Sequence, residues 1–269
     1  MRKSISHHSV IIPDYISAGI GYFQLMELDV VMKRFIEGIT YIDRNDGQLR
    51  TNQRTKAPYL PGLPLIPEAD LTHLFARWWR ERYPDDFNPT GCLETEVAYP
   101  DTPRNSCDLV FSTDGDVSLP EWAIELKKPV LIGDNGKNND YSIGKMLSPF
   151  LKDRSLIHDI ERLGREPIAR RKAVLGFMFT YSFQTCDIAN QIHPDEVARI
   201  HQLRKVCHLN DPVNGELNPA ELINGADVLL RAQGLVEPLL TMPFSGLWRH
   251  PCGGNGIAFA WEVTSRAGL

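Results

Sequence analysis

Two short apolar runs, Cys107-Asp108-Leu109-Val110-Phe111 and Trp122-Ala123-Ile124-Glu125-Leu126-Lys127, each carry charge where a buried strand usually carries none. Between them, Ser112 to Pro120 is rich in Ser, Thr, Asp and Gly, so the pair reads as two strands joined by a hairpin-like loop. Side chains alternate along a strand, which sets Glu125 and Lys127 on one face and Ile124 and Leu126 on the other. Charge on one side of an otherwise buried strand is costly unless it holds something, and a divalent cation is the natural candidate.

An acidic residue at the start of one strand and Glu-x-Lys on the next is similar to the motif of the PD-(D/E)XK nuclease superfamily, the restriction-endonuclease-like proteins. The resemblance covers roughly Glu68 to Ser182. Asp108 matches its first position, Glu125 its second and Lys127 its third. The literal Pro100-Asp101 pair offers another alignment, but Asp101 lies in Tyr-Pro-Asp-Thr-Pro-Arg-Asn, a stretch that dictates a turn. Asp108 opens a strand facing the Glu-x-Lys, so it is taken as the ligand.

The flanking sequence agrees with that core. Pro67-Glu68-Ala69-Asp70 opens a helix with Pro early and acids in the first turn, and Leu71, Leu74, Phe75, Trp78 and Trp79 form its buried stripe. Leu93 to Tyr99 reads as the first strand, Pro149 to Leu163 as a helix and Ala173 to Ser182 as a central strand covered on both faces. The helix between the third and fourth strands is the crossover that a parallel pair requires. The expected fold is α/β: a restriction-endonuclease-like core of helix, three strands, helix and strand, its mixed central sheet flanked by helices.

Residues 1–66 read as an N-terminal accessory region, 67–185 as the core, and 186–269 as a helical and hairpin extension packed on it. In the first, 18–38 has helical periodicity and Thr40 to Leu60 reads as strand and loop, with a turn at Asn45-Asp46-Gly47. In the last, Pro194 to Cys207 and Pro219 to Gly234 read as helices, and Leu247 to Arg249 with Ile257 to Val263 as a hairpin around Gly253-Gly254-Asn255-Gly256.

Net charge is −5, which argues against a generic polyanion binder, so nucleic acid would need a local basic surface. No apolar run is long enough to span a bilayer, the N-terminus lacks a signal-peptide core, and five irregularly spaced cysteines suit a reducing cytoplasm. Cys207-His208 and His250-x-Cys252 lack the spacing of a structural zinc site.

What the resemblance implies is a Mg²⁺-dependent endonuclease that hydrolyses DNA phosphodiesters in genome defence or repair, with Mn²⁺ able to substitute and a homodimer as the usual assembly. Asp108, Glu125 and the Leu126 carbonyl would hold the metal, with Glu68, Glu94 or Glu96 as a third acid. Lys127 would orient or deprotonate the attacking water. Lys128, Lys137, Lys152 and Arg154 are the candidate contacts to the nucleic-acid backbone. Competing readings are a non-catalytic nucleic-acid-binding or protein-interaction module, an RNA-directed nuclease, and an unrelated α/β protein in which Asp108, Glu125 and Lys127 are a structural ion cluster.

Overall fold

In a computed structural model, the strands expected from the charged runs extend over Ser106–Ser112 (β2) and Trp122–Lys127 (β3) and pair antiparallel, with Leu109 opposite Ile124 and Phe111 opposite Trp122. The described residues are 25–46, 48, 50, 51, 56, 62–87, 90–113, 119–130, 146, 155–180, 219–245 and 255–265. The expectations for the loop after β3, the helix over Pro194 to Cys207 and the glycine-rich turn at 253–256 fall wholly or mainly outside them.

Cys92–Ala98 (β1) pairs antiparallel with β2, and Arg171–Phe179 (β4) lies parallel to β3, with Gly176 opposite Lys127. The crossover between β3 and β4 carries a helix over Leu156–Arg165. Leu240–Phe244 (β5) and Gly256–Glu262 (β6) complete a mixed six-stranded sheet in the order β1-β2-β3-β4-β6-β5. The strand that pairs antiparallel with β6 is therefore Leu240–Phe244, and the strand expected at Leu247 to Arg249 lies outside the described residues. Pro243 disguises that strand, yet proline is tolerated on a sheet edge, where β5 lies.

Two helices, Leu28–Asn45 (α1) and Glu68–Arg82 (α2), pack on one face of the sheet. Phe35 of α1 meets Phe177, and Trp79 of α2 meets Phe111. Trp78 and Trp79 are both buried, as the helical stripe requires. At Gly38 the two helices touch: a Cβ there would lie 2.6 Å from the Phe75 ring. The crossover helix (α3, Leu156–Arg165) covers the other face, as does Ala220–Ala232 (α4), whose Asp227 accepts a hydrogen bond from Trp261 Nε1 at 3.0 Å.

Of the helix expected over 18–38, residues 18–24 lie outside the described residues; α1 runs beyond 38 and takes in Thr40, which had read as strand. Thr40 Oγ1 donates back to the Ile36 carbonyl at 2.7 Å, and Phe35, Ile39 and Ile42 continue the buried face at helical spacing. Tertiary burial overrides the β-branched composition here. The side chains of α1 belong to the same hydrophobic core as the rest of the sheet.

Candidate functional site

One step beyond the Leu109–Ile124 pair, the register sets Asp108 opposite Glu125, but β2 and β3 stop pairing at that point. Side chains take over the released amides of Leu126 and Lys128. Leu126 N–H donates to Asp108 Oδ2 at 2.7 Å, and Cys107 Sγ lies 3.4 Å from the Ile124 carbonyl. Two residues on, Lys128 N–H donates to Glu68 Oε2 at 2.9 Å. Asp108 and Glu68 thus serve alternate amides along the edge of β3 that β2 has left. The Leu126 carbonyl leaves β3 on the same side as its N–H, into the same gap.

On the face covered by α3, Glu125 is 3% exposed and Lys127 is nearly buried. Lys127 Nζ stands among three carboxylates: Asp159 Oδ2 at 3.1 Å, Glu125 Oε2 at 3.5 Å and Glu68 Oε1 at 3.9 Å. Arg162, one turn along α3, pairs with Asp159 Oδ1 and approaches Glu125 Oε1 at 3.6 Å. Tyr99, just past β1, donates its hydroxyl to that same Oε1 at 2.5 Å. Gly176 beside Lys127 has no room for a side chain, since a Cβ would lie 2.6 Å from the Lys127 carbonyl and 2.4 Å from Phe259.

The electrostatics follow from this crowding. Burial first, then the Glu125 charge, hold the Asp108 carboxyl well above the usual carboxylate range. Burial alone would push Lys127 down, but Glu125, Glu68, Asp159 and Asp108 together outweigh it, so its ammonium is held well above the ordinary lysine value. Burial also raises the Tyr99 phenol and the Cys107 thiol, aided by Glu125. Among the described residues, Asp108, Glu125, Glu68 and Asp159 face two cations, Lys127 and Arg162, so carboxylates outnumber cations by two when all are ionised.

The structure thus brings together Asp108, Glu125, Leu126, Lys127 and Glu68. Glu68, expected first as a partner of the α2 dipole, does lie in the first turn of α2 and also accepts the Lys128 amide beside Lys127. Glu94 and Glu96 are exposed on β1, with Glu96 Oε2 3.7 Å from His73 Nε2, and are not part of the cluster. Asp101 sits at an exposed bend, where its N–H donates to Glu166.

Lys128 does not offer its ammonium outward as a phosphate contact would. It donates to the carbonyls of Pro64 and Ile66, tying β3 to the turn before α2. Lys137, Lys152 and Arg154 lie outside the described residues. Arg171 is engaged by Glu262 and Glu27 and lies over the Trp122 ring, and Lys172 is buried. A groove of about 880 Å³ between α1 and α2 is lined by Tyr41, Arg44, Trp78 and Arg82 and contains none of the cluster.

Tyr99, Asp159 and Arg162 were missed at the sequence level. The one signal for the last two was an Asp-x-x-Arg spacing on a helix, which ordinarily marks a solvated pair.

Among the described residues, no three Asp, Glu, His or Cys side chains form a ready-made metal ligand set. Mg²⁺ commonly takes one or two protein carboxylates and completes its shell with water and phosphate. Asp108 and Glu125, with the Leu126 carbonyl, are hard oxygen donors of that number, set in a surplus of negative charge. The chain matches no family model, no curated protein and no solved structure.

Proposed function

We propose that the chain is a Mg²⁺-dependent nuclease that hydrolyses DNA phosphodiesters from a restriction-endonuclease-like core. The observation that carries this reading is the fork between β2 and β3, where Asp108 and Glu125 face each other and Lys127 stands beside them. A helix–three strands–crossover helix–strand order around the fork supports the same reading.

Asp108 and Glu125 would hold the cation, with the Leu126 carbonyl beside them. When bound, Mg²⁺ neutralises phosphate charge and acidifies neighbouring water. Asp108 is fixed for the task by the Leu126 amide, so its free oxygen keeps one direction. Lys127 enters as an ammonium, which suits it to orient water and stabilise charge building on the phosphate rather than to remove a proton. Asp159 and Arg162 keep Lys127 and Glu125 in register from the crossover helix.

A second reading has one observation in its favour: Lys127 and Arg162 already pair with the carboxylates around them, as a structural brace would. Incubation of supercoiled plasmid with the protein in Mg²⁺, Mn²⁺ or EDTA separates the two. Nicking that requires metal and is lost in Lys127→Ala supports the nuclease. A folded protein that cuts neither plasmid, single-stranded DNA nor RNA in any metal leaves the brace.

A further inference from the structure

Glu125 has two carboxylate oxygens, and the neighbours divide them. Oε1 accepts the Tyr99 hydroxyl at 2.5 Å and has Arg162 Nη2 at 3.6 Å, while Oε2 lies 3.5 Å from Lys127 Nζ. The terminal torsion of a glutamate is broad, so an unrestrained side chain would present either oxygen or both to a ligand. Here a hydrogen-bond donor and a nearby cation, from two different elements, both face one of them.

We propose that Tyr99 is a positioning residue of this centre: it occupies Glu125 Oε1 and leaves Oε2, on the Lys127 side, as the oxygen offered to a divalent cation. The inference rests on Asp108 and Glu125 being the cation-binding pair.

Tyr99 is well placed to act as a fixed point. Its side chain is fully buried, and its N–H donates to the Asn105 carbonyl at 3.1 Å, closing the turn that leads into β2. That turn is tied to the end of α3: Glu166, the residue after the helix, accepts from Asp101 N–H at 2.8 Å and from Thr102 Oγ1 at 2.5 Å. Arg162 of the same helix lies over the Tyr99 ring, 5.3 Å from its centre. The crossover helix therefore sets both the Tyr99 donor and the Arg162 cation beside Oε1. Tyr99 acts through Glu125, in the way that partners behind metal ligands orient them.

The test compares Mn²⁺ binding by the wild-type chain and Tyr99→Phe, which keeps the ring and removes the hydroxyl. Free Mn²⁺ is read by electron paramagnetic resonance, so no catalysis is needed, and thermal melting reports folding. The expected result is Mn²⁺ affinity about tenfold weaker in Tyr99→Phe, at the lower end of what loss of a partner behind a ligand costs. A lowered melting temperature with unchanged Mn²⁺ affinity, measured where both proteins are folded, would overturn the proposal and leave the metal site standing. No Mn²⁺ binding by the wild type would overturn the metal site and the role of Tyr99 with it. If Tyr99→Phe does not fold, Arg162→Met removes the cation that lies over the Tyr99 ring and beside Oε1 and carries the same expectation, with unchanged affinity again counting against it.

Discussion

Lys127 Nζ lies closer to Asp159, at 3.1 Å, than to Glu125, at 3.5 Å, or Glu68, at 3.9 Å. The lysine that the Glu-x-Lys spacing singles out is thus held by the crossover helix. That helix pairs the same aspartate with Arg162, so one carboxylate serves two cations.

Asp159→Asn should therefore disturb Lys127 and Arg162 together. Removing one member of a buried ion pair typically costs about 3–5 kcal/mol; with Glu125 and Glu68 still present, about 2 kcal/mol is expected here. Plasmid nicking should fall about tenfold or more as Lys127 loses its fixed position. Urea unfolding and a nicking time course check both, and a variant unchanged in each would show that Asp159 does not hold the lysine.

Asp108 leads to a pH-dependent prediction. Its carboxyl titrates higher in the folded chain than its ordinary value of 3.8, because of burial and then Glu125. The folded state therefore keeps a proton that the unfolded state releases. The resulting stability is complete below the ordinary value and is lost as pH rises through the folded one. Asp108→Asn carries no charge at any pH and retains an acceptor for the Leu126 amide. In EDTA the variant should gain stability over wild type as pH rises from about 4 to about 8. Mg²⁺ at a hundredfold excess over its Kd should then stabilise wild type alone, by about 2.7 kcal/mol. A variant less stable than wild type at the upper pH in EDTA would contradict the account.

Lys128 separates a structural lysine from a DNA contact. Its ammonium donates to the Pro64 and Ile66 carbonyls, so Lys128→Met should cost about 1.5–3 kcal/mol, the range of hydrogen bonds from a charged donor. Affinity for duplex DNA, followed by fluorescence anisotropy, should stay as in wild type. A weakened complex from an equally stable variant would restore Lys128 to the nucleic-acid surface.

The strands β2 and β3 were legible because alternation and turn composition are local. For the same reason the Glu-x-Lys spacing placed Glu125 and Lys127 on a common face before any fold was known. The helix opened by Pro67-Glu68 was visible as a periodic apolar stripe, and the crossover helix at Leu156–Arg165 overlaps the expected Pro149 to Leu163. The end of α1 was not, because Thr40 is helical only while Phe35, Ile39 and Ile42 are buried around it. Strand β5 was hidden by Pro243, which its edge position makes harmless.

By itself the amino-acid sequence determined an α/β chain with an acid on one strand and Glu-x-Lys on the next. Alternation, turn residues and helical stripes are properties of neighbours in the chain. Only the tertiary structure decided which groups gather around that motif. Tyr99 reaches Glu125 from the end of β1, Glu68 reaches Lys128 from the start of α2, and Asp159 reaches Lys127 from α3. Each of these contacts joins segments that meet only once the sheet is covered. At those points burial makes an unpaired charge costly, so each carboxylate and its partner are drawn together.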